Sequence, residues 1–273
     1  MQLKACLKKD FIELLKTKKW YALLAASIGS AFLSLLVIVF FKVLQNSGVD
    51  VSSFIGIEDP SVASLFSITY SSSFMYFAIY ICTYFAIIMI VLYGGIFSKE
   101  IKDKKWVMPL SCGIRAENLV LSKIIVNLIG LVVLLLAGCL INFVTTILLC
   151  ESGGLAIGSL LLLYLMMIVF MVFMYLLTIC LNAITKSTKI SVIVSIVCLI
   201  LLPEVLSMFK VANITFINFT PFLFNQIVLM GGAVPLNAYS ALEYIIASAV
   251  TCGVSVLLVI LSISFNKIKK IEK

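Results

Sequence analysis

The sequence predicts an all-α integral membrane protein, with an amphipathic interfacial helix, six transmembrane helices and an external re-entrant element before the last span. Three observations predict it. Hydrophobic residues make up 63% of the 273-residue chain and the mean hydropathy is +1.23, whereas a soluble domain holds roughly 45–50% apolar residues. The charged residues, 12% of the total, gather in clusters separated by long charge-free runs, and a helix needs about 20 apolar residues to cross a hydrocarbon core. Clusters at alternate ends of those runs also differ in sign.

Residues 1–20 place Leu3, Leu7, Phe11, Leu14 and Leu15 at three- and four-residue intervals, with Lys4, Lys8, Lys9, Asp10, Glu13 and Lys16 on the remaining face. That pattern predicts a helix lying in the cytoplasmic membrane interface. Trp20 and Tyr21 mark the headgroup boundary, and the first span, 21–41, is charge-free. It is too long for a signal-peptide core and is expected to be retained. A polar loop with Gly48, Asp50, Glu58, Asp59 and Pro60 leads to the second span, 74–97, and a basic segment, 98–123, leads to the third, 124–149. The turn at Glu151 precedes span four, 157–184, and Lys186 and Lys189 lie in a tight connection to span five, 190–209. The last span, 241–265, is followed by a lysine-rich tail.

Residues 211–240 are charge-free but carry Pro221, Gly231, Gly232 and Pro235. A full span there would put the tail lysines outside, so the stretch is expected to re-enter from the external side, shielded by the bundle. Asn213-Ile-Thr and Asn218-Phe-Thr match the glycosylation pattern, a weak signal in so Asn- and Thr-rich a loop.

On this layout 18 of the 20 Lys/Arg lie on one side, and only Lys42 and Lys210 on the other. Acidic residues divide six and six, giving +12 on one side and −4 on the other. The positive-inside rule makes both termini cytoplasmic, in the plasma membrane of a bacterial cell. The net charge of +8 is thus an orientation signal, and no nucleic-acid partner is expected.

Absences narrow the chemistry. There is no His, which removes the commonest general base and zinc ligand. No GxxxxGK[ST] stretch occurs, so the chain has no evident phosphate-cradling loop. Cys6, Cys82, Cys112, Cys139, Cys150, Cys180, Cys198 and Cys252 show no CxxC spacing and are expected to be small core residues rather than metal ligands or disulfides. No catalytic, cofactor or metal site is expected in this chain.

The internal cytoplasmic segment carries the functional signal. A helical extension of span two is expected to end between Trp106 and Pro109. Ser111 then caps a short amphipathic helix, with Ile114, Leu119 and Leu121 toward the membrane and Arg115, Glu117, Asn118 and Lys123 toward the cytosol. Glu100 soon after span two, Leu110-Ser111, the apolar triplet Leu119-Val120-Leu121 and Lys123 stand in the order of a motif family members carry. In layout and in this segment the chain resembles the membrane permeases of type-2 ABC transporters, the exporter class. Their motif has Glu where Asn118 stands, Pro for Gly113, Val-Ser for Ile114-Arg115 and Gly for Ser122, and Gly-Thr-Leu for Lys105-Trp106-Val107.

The resemblance implies a homodimeric or heterodimeric permease docked on two copies of an ATP-binding-cassette ATPase, with ATP and Mg on that partner. It also implies a coupling segment, 98–123, in which Glu100, Lys104, Lys105, Trp106, Arg115, Glu117, Asn118 and Lys123 transmit movement. Spans one, two and five offer Ser27, Ser30, Ser34, Thr83, Tyr84, Ser191 and Ser195 as a pathway lining, with no mid-membrane acid or base. Such a lining suits hydrophobic or amphipathic cargo, peptide or lipid, as for antimicrobial-peptide or phenol-soluble-modulin exporters. The same hydroxyls could instead pack helices together. Glu204 and Glu243, near the external boundary, are candidates for an outer gate or for interfacial acids in water, with Lys42 and Lys210 as possible ion partners. A stand-alone secondary transporter ranks second, weakened by the absence of ionisable groups and repeats. An intramembrane enzyme ranks third, for want of His or paired acids.

Overall fold

Helices account for nearly all of the described chain, which in this computed structural model comprises residues 2–47, 70–149, 157–208 and 241–268. In order they are α1 (Gln2–Lys16), α2 (Lys18–Asn46), α3 (70–93), α4 (Ile96–Lys102), α5 (Val107–Ser111), α6 (Ala116–Leu149), α7 (Ile157–Thr185), α8 (Thr188–Met208) and α9 (Ala241–Ile268). α3 is continuous but contains a π-helical turn at Ile81–Phe85. The loop 48–69, the turn around Glu151, the expected re-entrant stretch 211–240 with its two Asn-x-Thr triplets, and the last five residues lie outside the described residues.

Among the described residues five helices are long and apolar enough to cross a membrane: Lys18–Leu44, Ser72–Lys102, Ala116–Leu149, Ile157–Thr185 and Leu242–Asn266. The apolar stretch of α8, Thr188–Pro203, is shorter, and Pro203 lies within the helix, where it lacks the N–H for one helical hydrogen bond.

α2, α3, α6 and α7 share one core in which Phe74, Phe77, Phe85, Tyr93, Leu131, Met171 and Tyr175 are buried. α9 packs on α7, and α8 leans on α7, α3 and α4. In a bilayer, apolar burial gives little driving force between helices, so small residues and interhelical hydrogen bonds do much of the joining. α2 meets α6 through Ser27, whose hydroxyl donates to the Leu134 carbonyl at 2.8 Å. A Cβ at Gly138 would collide with that hydroxyl. Asn142 donates to Ser34 Oγ at 3.0 Å, Tyr164 donates to Asn142 Oδ1 at 3.3 Å, and Ser73 and Thr146 share a hydrogen bond of 2.7 Å.

α1 departs from the expected orientation. Cys6, Asp10 and Leu14 are its buried residues, and it packs along the first half of α6. Asp10 therefore faces the protein, not the surface, while Phe11 and Leu15 are 51% and 45% exposed. The apolar arc of the helix is shared between the bundle and the surface, because a buried cation on α6 draws the acidic edge inward. Gly130 of α6 makes room for the contact: a Cβ there would meet Leu14 at 2.8 Å and Trp20 at 3.1 Å.

Candidate functional site

Span two does not run straight into the charged segment that follows it. The helix breaks at Gly94–Gly95, where a Cβ on Gly94 would lie 2.5 Å from Val192 and one on Gly95 would lie 2.6 Å from the Thr188 hydroxyl. A helix break inside a membrane protein leaves orphan backbone groups, and here Asn182 of α7 takes them up. Its Nδ2 donates to the Gly94 carbonyl at 2.7 Å and to Ser98 Oγ at 3.1 Å. Its Oδ1 accepts from the Phe97 and Ser98 amides at 3.0 and 3.2 Å.

α4 then carries Glu100 and ends at Lys102, short of the expected Trp106–Pro109. Lys104, at φ 55°, reverses the chain, and this left-handed turn brings Trp106 back over α4. The Trp106 ring meets Phe97 edge-on at 5.9 Å, and its indole N–H donates to Glu100 Oε2 at 3.0 Å. α5 follows and ends at Ser111, whose hydroxyl donates to the Met108 carbonyl at 2.8 Å. Ser111 thus closes a helix instead of opening one. No separate amphipathic helix forms over Ile114–Lys123: after Gly113, at φ 79°, Ala116 begins α6 itself. Leu119, expected to face the membrane, is buried in the protein.

The charges converge at the base of this segment. Lys123 Nζ pairs with Glu100 Oε1, and lies 3.5 Å from Glu13 Oε2 and 3.9 Å from Asp10 Oδ1. The Lys123 and Glu100 side chains are only 10% and 12% exposed. Ser122 completes the cluster by donating to Asp10 Oδ2 at 2.5 Å. One ammonium therefore binds three carboxylates from α1 and α4 to the start of α6. A cavity of about 240 Å³ opens beside it, lined among others by Lys19, Lys99 and Asn127.

Burial raises the Asp10 carboxyl above its ordinary value of 3.8; the Ser122 hydrogen bond and the Lys123 charge act against that, and the Glu100 charge adds to it. A folded carboxyl raised above the unfolded one contributes stability that is fully present below about pH 3.8 and is lost as pH rises through the raised value. Asp10→Asn, neutral at every pH and still an acceptor for Ser122, should thus gain stability relative to the wild type as pH rises. Melting temperatures of the two proteins between about pH 4 and about pH 8 measure this. A constant or narrowing difference contradicts burial as the dominant cause.

Of the residues expected from sequence to couple, the structure brings Glu100, Trp106 and Lys123 together and sets Lys105 at the cavity edge. Lys104 and Arg115 are exposed, and Glu117 is half-buried. Asn118 turns to α1, donating to Gln2 Oε1 at 3.3 Å, while Gln2 donates to the Gly113 carbonyl at 3.3 Å. Sequence reasoning missed Asp10, Glu13, Ser122 and Asn182. A signal existed for the first two, an acidic pair three residues apart on a basic helix.

The hydroxyls expected along a pathway divide. Ser27, Ser30, Ser34, Ser191 and Ser195 are buried between helices. Ser30 donates to the Ala26 carbonyl at 2.9 Å, Ser34 to Ala31 at 2.7 Å and Ser191 to Thr178 at 3.1 Å. Ser195 has no hydrogen-bond partner among the described residues. Thr83 and Tyr84 point outward from the π-helical turn, with Tyr84 56% exposed and its ring 5.6 Å from that of Tyr80. Glu243 lies in the first turn of α9. The Glu204 side chain and Lys210 lie outside the described residues.

Among the described residues no group of three or more His, Cys, Asp or Glu is placed to hold a metal ion; the three clustered carboxylates surround a lysine instead. No known protein family matches the chain, and no curated protein matches it.

Proposed function

We propose that this chain is the membrane permease subunit of an ABC exporter, moving hydrophobic or amphipathic cargo with energy from separate ATPase subunits. One observation supports this reading above the others. The segment after span two has a rigid base and an exposed tip: its base is fastened through Glu100 and Lys123 to α1, α4 and α6. At its tip Val107 and Met108 are 60% and 76% exposed. A short helix with exposed apolar side chains on a firmly held base can take a push from a partner protein and pass it to two spans at once.

In this reading α8 is the sixth span, residues 211–240 re-enter from outside, and both termini lie in the cytosol of a bacterial cell. Lys104, Lys105 and Arg115 surround the tip as polar contacts for the ATPase, on which ATP and Mg reside. A second permease copy, identical or related, completes the translocation path. The pathway hydroxyls at Ser27, Ser30, Ser34, Thr83, Tyr84, Ser191 and Ser195 and the outer acids Glu204 and Glu243 keep their proposed roles within that dimer.

Copurification of the tagged chain with an ATP-binding-cassette subunit, followed by reconstitution, tests the reading. Arg115→Glu or Glu117→Lys should leave the complex assembled but lower cargo-stimulated ATP hydrolysis about tenfold or more, the scale of an ordinary coupling free energy. Unchanged coupling in both variants, or no ATPase subunit in the complex, sinks the assignment.

A further inference from the structure

The cavity beside the Lys123 cluster has a second side that the ion pairs do not use. All three clustered carboxylates are engaged by Lys123 or Ser122. Lys19 and Lys99, which line the same cavity, have no carboxylate within ion-pair distance among the described residues. The Lys19 ammonium sits instead 5.8 Å from the centroid of the Tyr93 ring. Two like charges thus face one polar space with neither held in an ion pair, and the positive end of the α2 dipole lies beside them at Thr17, which also lines the space.

The depth of the site narrows the occupant. Lys19 directly precedes Trp20 and Tyr21, where α2 enters its apolar stretch, and aromatic residues of this kind sit at the headgroup level of a bilayer. Phe11, Leu15 and Tyr21 are exposed nearby at 51%, 45% and 62%, offering apolar contact for acyl chains. The charge of the lining narrows it further. Asp10, Glu13, Glu100 and Asp103 balance Lys19, Lys99, Lys105 and Lys123, so the cavity is neutral overall and carries both signs. Such a neutral site of both signs suits a zwitterion better than an anionic lipid. Of the three clustered carboxylates, Glu13 is 36% exposed while Glu100 is 12% and Asp10 8% exposed, so Glu13 is the one of the three open to a second cation. A primary ammonium can donate hydrogen bonds to it; a quaternary one cannot, and is instead recognised by aromatic cages, which this lining lacks.

We propose that the cavity between α1, α2 and α4 seats the headgroup of a phosphatidylethanolamine, its phosphate against Lys19 and Lys99 and its ammonium against Glu13. The site stands independently of the transport reading. A headgroup held there bridges the interfacial helix to the spans that carry the cytosolic segment.

The test is lipid retention on the full chain, purified in detergent and titrated in native mass spectrometry with phosphatidylethanolamine, phosphatidylcholine and phosphatidylglycerol of identical acyl chains. The wild type should retain phosphatidylethanolamine about tenfold better than either of the others, a difference of about 1.4 kcal/mol. Lys19→Gln with Lys99→Gln should remove most of that retention, and Glu13→Gln should equalise the ethanolamine and choline lipids. Lys99→Gln alone, exposed and outside the ion-pair cluster, should weaken retention without changing helical content, which separates loss of binding from loss of fold. Equal retention of the three lipids, no effect of Lys99→Gln, or equal competition by chainless glycerophosphoethanolamine overturns the proposal.

Discussion

Lys123→Met should release α1 from the bundle. The substitution keeps an unbranched side chain one atom shorter but leaves Asp10, Glu13 and Glu100 facing one another without the Lys123 cation. Removing one member of a buried ion cluster costs about 3–5 kcal/mol, because the remaining charges stay desolvated and unpaired. Part of that loss can be relieved by protonating a carboxyl, so the defect should be smaller at mildly acidic pH than at neutral pH. Tryptic cleavage after Lys8, Lys9 and Lys16 reads the release directly, and the melting temperature reads its cost. Adding Glu100→Gln should recover part of the stability by removing one of the stranded charges. An α1 as protease-resistant in Lys123→Met as in the wild type would show that the cluster does not hold it.

Asn182→Leu should loosen the junction between span two and the charged segment that follows it. Asn182 is fully buried, and leucine matches its shape while satisfying none of its partners. The Gly94 carbonyl and the Phe97 and Ser98 amides would then lose their bonds at a break where helical neighbours cannot replace them. Each buried group left unsatisfied costs about 1–3 kcal/mol, so a total of roughly 3 kcal/mol or more is expected. Hydrogen exchange at Phe97 and Ser98 should accelerate well before α3 is affected. Protection that stays at the wild-type level would mean that the break is held by packing at Gly94 and Gly95 alone. Because Glu100 lies two residues beyond Ser98, this variant should also disturb the Lys123 cluster, which the α1 cleavage assay would detect.

Much of the architecture was legible because hydropathy and helical periodicity are local properties. The charge-free runs predicted helices, and the structure describes helices at 18–46, 70–93, 116–149, 157–185, 188–208 and 241–268; the third begins eight residues before the expected 124 and the first ends five beyond the expected 41. The segment between the second and third runs was legible as charged, with Glu100, Trp106 and Lys123 among the eight residues singled out there. Its local form was not, because Gly113 and Lys104 turn the chain through positive φ. A lysine in that region gives no advance signal. Ser111 fitted a helix start equally well by type, and only the geometry at Met108 shows it at a helix end.

Composition and periodicity by themselves determined that the chain is helical, apolar enough to enter a membrane and without an evident phosphate loop. They also determined that one stretch of the chain concentrates its internal charge. Tertiary structure decided which charges meet. Asp10 and Glu13 look like solvated residues on a basic helix until Lys123, more than a hundred positions away, is packed against them; burial then makes the pairing obligatory, since a desolvated ammonium needs counter-charges. Asn182 looks like one polar residue near the end of a long span until the break at Gly94 presents it with orphan backbone groups. In both cases the partners are distant in sequence, and the energetic consequence comes from low local dielectric, which exists only once the helices have closed around them.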